Sequence, residues 1–95
     1  SSGDPRAADA RYWVGECLYS QGKYKEAVEA FDLVLTNYPA AEKGPAALLK
    51  KGYSQIELGQ PSQGGETLGK LISAHGDSEE ARLASERLRQ LGLRN

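Results

Sequence analysis

The chain repeats itself. Gly15 and Gly52 stand 37 residues apart, and at the same offset Ala10 meets Ala47, Tyr12 meets Leu49, Tyr19 meets Ile56 and Gly22 meets Gly59. The correspondence continues through Ala27 with Gly64, Phe31 with Leu68, Val34 with Leu71, Leu35 with Ile72 and Tyr38 with His75. A second application of the offset carries Gly44 onto Ala81 and Ala47 onto Ala84, and this third copy ends after one helix-length segment. Periods of roughly 20–50 residues mark units too small to bury their own apolar face, so neighbours must stack and a terminal element must cover the last one.

Each unit reads as two helices. In the first, Asp4 followed by Pro5 is a capping residue with proline at the opening helical position. Ala7, Ala10, Val14, Cys17 and Leu18 then recur at three- and four-residue steps until Gly22 stops the run. A second helix, from about Lys23 to Asn37, carries Tyr24, Ala27, Val28, Phe31, Val34 and Leu35 on one stripe, and Pro39 forbids its continuation. Pro45 opens a third, with Ala46, Leu48, Leu49, Gly52, Tyr53, Ile56 and Leu58 before Gly59 at its carboxyl end. Pro61 opens a fourth on Leu68, Leu71 and Ile72, although Gly64, Gly65 and Gly69 each oppose it by about 1 kcal/mol relative to alanine. Asp77 with Glu80 resembles a capping box and opens a fifth helix on Ala81, Ala84, Leu88 and Leu91. The expectation is an all-α chain of about five helices.

The spacing has a steric reason. Antiparallel helices approach closely only where small residues face each other, here Gly15 against Ala27 and Gly52 against Gly64, while Phe31 and Leu68 fill the space between hairpins. With these residues the chain resembles the tetratricopeptide repeat family. Gly15, Ala27, Phe31 and Pro39 fall at that family's eighth, twentieth, twenty-fourth and thirty-second positions, while the second copy keeps Gly52 and Leu68 but has Gly64 for alanine and Gly76 for proline. The 37-residue step exceeds the family's usual one of about 34, and the segment from Ala41 to Gly44 absorbs the excess. The resemblance implies a short right-handed solenoid in one domain over residues 1–95. Repeat 1 would occupy 8–41, a degenerate repeat 2 would occupy 45–78, and a capping helix would occupy 78–91.

A narrower resemblance rests on longer segments. Ala10-Arg11-Tyr12-Trp13-Val14-Gly15-Glu16, Gln21-Gly22-Lys23-Tyr24-Lys25-Glu26-Ala27, Phe31 and Asn37-Tyr38-Pro39 resemble the C-terminal repeat domain of the YbgF/CpoB family of Tol-Pal-associated cell division coordinators. Ala47-Leu48-Leu49-Lys50-Lys51-Gly52-Tyr53, Glu57-Leu58-Gly59, Ala81-Arg82-Leu83-Ala84 and Arg87-Leu88 are similar to its next repeat and closing helix. The departures are Gly64-Gly65 and His75-Gly76, the latter replacing a Tyr-Pro pair. This resemblance implies a periplasmic, cell-envelope protein of Gram-negative bacteria with a trimerising coiled coil ahead of the repeats. It also implies a TolA-like partner and a role in coordinating outer-membrane constriction with peptidoglycan synthesis.

Charge narrows the function classes. Lys and Arg number 12 against 13 Asp and Glu, a net charge of -1, and the signs alternate, as in Glu86-Arg87-Leu88-Arg89. That is a solvated helix surface and not the basic face that grips phosphates, so no nucleic-acid partner is expected. No apolar run approaches the roughly 18–20 residues needed to span a bilayer, so no direct membrane insertion is expected. One cysteine, Cys17, excludes an internal disulfide. His75 stands alone, and neither metal-ligand spacing nor an acid–base–nucleophile constellation occurs, so no cofactor, metal or catalytic residue is assigned. Gly64-Gly65 lacks the lysine and preceding strand of a phosphate loop, and Glu79-Glu80 is the favourable acidic first turn of a helix.

In a stack of this kind the first helix of each hairpin lines the concave side. The expected partner-binding groove is therefore Tyr12, Glu16 and Tyr19 with Leu49, Tyr53 and Ile56, a largely apolar surface for a helix or extended peptide of a partner protein. Trp13 is expected to pack, buried, against a neighbouring helix, and Cys17 to be an inert thiol on the apolar stripe. Two alternatives stand beside this adaptor reading. One is a module of another cell-envelope lipoprotein of the outer-membrane assembly kind. The other is a self-associating structural module, a homo-oligomer formed through a patch of Ala10, Trp13 and Cys17 left open on the first helix.

Overall fold

The computed structural model describes residues 4–92, which form five α-helices: α1 (Pro5–Ser20), α2 (Tyr24–Asn37), α3 (Gly44–Glu57), α4 (Pro61–Ala74) and α5 (Glu79–Gln90). Among the described residues there is no strand. The starts follow the sequence signals. Oδ1 of Asp4 accepts from the Arg6 amide at 2.9 Å, and prolines stand in the first turns of α1, α3 and α4. Gly22 and Gly59 end α1 and α3 with φ of +76° and +79°, the left-handed region that glycine enters without a Cβ clash.

One cap differs from expectation. Ser78, not Asp77, precedes α5, and its Oγ accepts from the Ala81 amide at 3.0 Å while the hydroxyl donates to the His75 carbonyl at 2.7 Å. Serine holds the cap because position 78 has the extended backbone that aims a side-chain oxygen into the first turn. Ser78→Ala is expected to lower stability by about 1 kcal/mol, whereas Asp77→Ala leaves it nearly unchanged; paired urea titrations check the difference.

Consecutive helices pack against each other throughout, and α1 also touches α3 while α3 touches α5. The two second helices, α2 and α4, make no such contact. The stack therefore has two layers and curves, with α1, α3 and α5 on the inner side. Two apolar clusters hold it. Tyr12, Ala27, Phe31, Val34 and Ala47 join α1, α2 and α3, and Leu49, Leu68, Leu71, Ala84 and Leu88 join α3, α4 and α5.

The close approaches are where the glycines predicted them, with one difference. A Cβ on Gly52 would lie 3.4 Å from the Gly64 carbonyl oxygen, and one on Gly64 would lie 2.9 Å from that of Gly52. At Gly15, however, the neighbour within 2.5 Å of a built Cβ is the Phe31 ring. Phe31 and Leu68 thus cover the glycines inside their own hairpins as well as bridging to the next helix. Glycine is needed in α1 to admit the Phe31 ring, in α3 to admit the Leu68 side chain, and in α4 to admit the α3 backbone.

Candidate functional site

The inner face is built from positions that recur at the repeat offset. Lys50 on α3 and Arg87 on α5 are equivalent, and each reaches back to the first helix of the hairpin before. Nζ of Lys50 lies 4.7 Å from the Tyr19 ring centre and 3.1 Å from Oε1 of Glu16. The Arg87 guanidinium lies 4.5 Å from the ring centre of Tyr53, which stands one offset from Glu16. Lys43, just ahead of α3, lies 5.9 Å from the Tyr12 ring and 5.5 Å from that of Trp13. Each such cation–ring contact contributes about 0.5–1 kcal/mol where solvent has access.

Electrostatics on this face are correspondingly balanced. Oε1 of Glu16 is buried without a hydrogen-bond partner, and the Lys50 ammonium compensates it by charge alone. Lys43 and Arg87 have no carboxylate within ion-pairing distance among the described residues. Burial pushes the Tyr12 phenol up to about 12, and the Glu16 and Glu80 carboxylates push the same way. Tyr19 is raised by burial and then by Glu57; Tyr53 is raised by burial, with Arg87 opposing. All three phenols are neutral donors and acceptors near neutral pH.

The six expected groove residues are not equally placed. Tyr19 and Tyr53 are half-buried and show ring surface, and Glu16 is half-buried at its ion pair. Tyr12 and Leu49 are 6% and 5% exposed and belong to the core clusters, so they back the face and offer it little surface. Ile56 turns toward α4, its Cγ1 lying 2.6 Å from where a Cβ on Gly64 would be. Both Tyr12 and Leu49 head their hairpin's own packing stripe, which competes with the groove for the same side chain.

Trp13 is 53% exposed, against the expectation of burial. It matches Lys50 and Arg87 at the repeat offset, the position whose long side chain crosses onto the first helix of the hairpin before, and among the described residues no hairpin precedes α1. Cys17 is exposed, again contrary to expectation: its counterpart Ser54 is fully buried in the stack, whereas among the described residues no helix lies over Cys17. The surface is also less apolar than expected, since Lys43, Lys50 and Arg87 lie across its rings. Sequence reading missed these three cations; the 37-residue offset that pairs position 50 with 87 was the available signal.

The rest of the surface offers less. Open depressions of about 590 and 310 Å³ lie by Gly69, Ile72 and Ala74 of α4 and by Val28 of α2, Gln55 of α3 and Leu58. Among the described residues no three metal-ligating side chains converge, and no helix is long and apolar enough to cross a membrane.

Comparison with known proteins agrees with this geometry. Curated proteins give no match. Tetratricopeptide repeat models match residues 1–42 and 46–78, so each match covers one helical hairpin. Both hairpins, with the small residues at their crossings, fall inside those two matches, and α5 follows them. The chain belongs to the tetratricopeptide repeat family, whose repeats build protein–protein interaction modules.

Proposed function

We propose that the inner face of α1, α3 and α5 holds a segment of a partner protein, helical or extended. The observation that carries this reading is the pair of half-exposed rings, Tyr19 and Tyr53, each under the cation of the following first helix. A ring with a cation fixed over it is a rigid amphipathic anchor, able to take an apolar side chain on its edge and a carboxylate or carbonyl at the cation. Glu16 and Trp13 flank these anchors, and Tyr12, Leu49 and Ile56 support them from below.

The segments around Tyr12-Trp13-Val14-Gly15-Glu16 and Asn37-Tyr38-Pro39 support a more specific reading. In it the module works in the periplasm as part of a Tol-Pal-associated cell division protein and binds a TolA-like envelope protein. Calorimetry of the chain against the periplasmic region of TolA tests it. The combined Tyr19→Ala and Tyr53→Ala variant is expected to bind at least about tenfold more weakly, or 1.4 kcal/mol, with its helical content unchanged. Unchanged affinity in the variant removes the groove assignment, and no binding by the parent chain removes the Tol-Pal reading.

A further inference from the structure

Four cations are half-buried among the described residues, Lys43, Lys50, Lys51 and Arg87, and their charges are met in different ways. Nζ of Lys51 lies 2.7 Å from Oδ1 of Asp32, and Nζ of Lys50 lies 3.1 Å from Oε1 of Glu16. Lys43 and Arg87 meet rings instead. Lys43 is the looser of the two, 5.5 Å from the Trp13 centre and 5.9 Å from that of Tyr12, whereas the Arg87 guanidinium lies 4.5 Å from the Tyr53 centre. A ring covers the flat face of a guanidinium and leaves its N–H edge to find acceptors elsewhere. Among the described residues that edge reaches no carboxylate.

The repeat offset shows what Arg87 lacks. Beneath Lys50, α1 supplies both an acid, Glu16, and a ring, Tyr19. At the same places α3 has Tyr53 and Ile56, so Arg87 receives a ring where Lys50 receives a carboxylate. The acids nearby do not fill the gap. Glu79 and Glu86 of α5 are held by Arg82 and Arg89. Glu57 is exposed and acts on the Tyr19 phenol, yet forms no ion pair with Arg87. Leu83 and Leu91 stand one turn to either side of Arg87 on α5, and Leu91 is 40% exposed. The guanidinium edge therefore emerges among apolar groups, where a charge-assisted hydrogen bond gains strength.

We propose, resting on the reading of the inner face as a groove, that Arg87 takes an aspartate or glutamate side chain of the partner segment, in the place that Glu16 holds at Lys50. The occupant is thus an acidic peptide segment, with an apolar residue beside its acid to lie on the Tyr53 and Tyr19 rings. The planar fork of arginine meets both oxygens of a carboxylate, and the ring beneath holds it in one orientation before the segment arrives. Lys50 is already neutralised by Glu16 and takes no second acid. The two cation–ring pairs therefore differ in role. The one on Tyr19 is closed within the chain, and the one on Tyr53 reads the partner.

The probe is a library of random short peptides displayed between fixed flanking segments, so that none ends in a free carboxylate, and selected on the intact chain. The enriched peptides are expected to share an aspartate or glutamate beside an apolar residue. The strongest, made synthetically with an amidated end, should lose about tenfold in affinity by calorimetry when its acid is replaced by the matching amide. On Arg87→Gln the same replacement should cost less than about twofold, because the pair is already broken. On Arg87→Lys the cost should be intermediate, since the charge remains without the fork. Selection on Arg87→Glu should enrich lysine or arginine in the acid's place. Equal losses on the parent chain and on Arg87→Gln overturn the carboxylate assignment, and the groove survives that result if Tyr19→Ala with Tyr53→Ala still weakens the peptide. Peptides that bind this double variant as tightly as the parent chain, or a selection that enriches nothing, remove the groove and this inference together.

Discussion

Phe31→Ala is expected to lower the free energy of unfolding by about 3–5 kcal/mol, as cavity-forming losses of a buried aromatic do. The ring is 0% exposed and belongs to the cluster that joins three helices. It lies over Gly15 of α1, its centre is 5.8 Å from that of Tyr12, and it shares its cluster with Ala47 of α3. Alanine would withdraw the ring from α1 and α3 together. The cavity could not refill easily, since Gly15 has no side chain to move and Ala27 and Ala47 have only methyl groups. Small domains hold about 5–15 kcal/mol in total, so this change removes a large share. Urea unfolding of the variant should show a lower midpoint at an unchanged slope. Leu33→Ala, on the same helix but 44% exposed, should move the midpoint little. A loss below about 1 kcal/mol at Phe31, within the range of ordinary substitutions, would mean that the first hairpin does not depend on this ring.

The fold was legible because the determinants of the helices are local and recur. Caps, prolines and terminal glycines set the ends of four helices within a residue or so, and the 37-residue offset placed Phe31 and Leu68 at equivalent points. The failures came from contacts the sequence does not order. Periodicity puts Cys17 and Val14 on an apolar stripe, but a stripe is buried only if a helix lies on it, and among the described residues the covering helix of α3 and α5 has no counterpart over α1. Tyr12 and Tyr19 looked alike as groove residues. One turned into the cluster with Phe31, and the other stayed at the surface under Lys50. The cations were missed for a related reason. Lys50 and Arg87 read as solvated charge along their own helices, and only the packing of one hairpin on the next brings them over Tyr19 and Tyr53. Part of the groove was therefore visible as residue types, but its polarity was not.

Gly64→Ala and Gly69→Ala, five residues apart on α4, are expected to change stability in opposite directions. Intrinsic propensity favours alanine at both, by about 1 kcal/mol each. At Gly69 nothing lies within 4 Å of the added methyl, so that gain should appear nearly in full as a higher urea midpoint. At Gly64 the methyl would come to 2.9 Å from the Gly52 carbonyl oxygen and 2.6 Å from Cγ1 of Ile56. The isoleucine can rotate, but the carbonyl is fixed within α3, so the two helices must move apart along their crossing. The resulting overpacking is expected to cost about 1–3 kcal/mol net. The displacement would also tilt α3, which carries Tyr53 and Lys50, against α1, so Gly64→Ala should weaken partner binding where Gly69→Ala does not. If both alanines raised the midpoint equally, the α3–α4 crossing would be looser than these distances describe. The degeneracy of the second repeat would then be mere tolerance of glycine. If they diverge, the glycine that departs from the family's alanine is what lets the second hairpin close, and the first hairpin keeps Ala27 because its close approach is made by a ring and not by backbone.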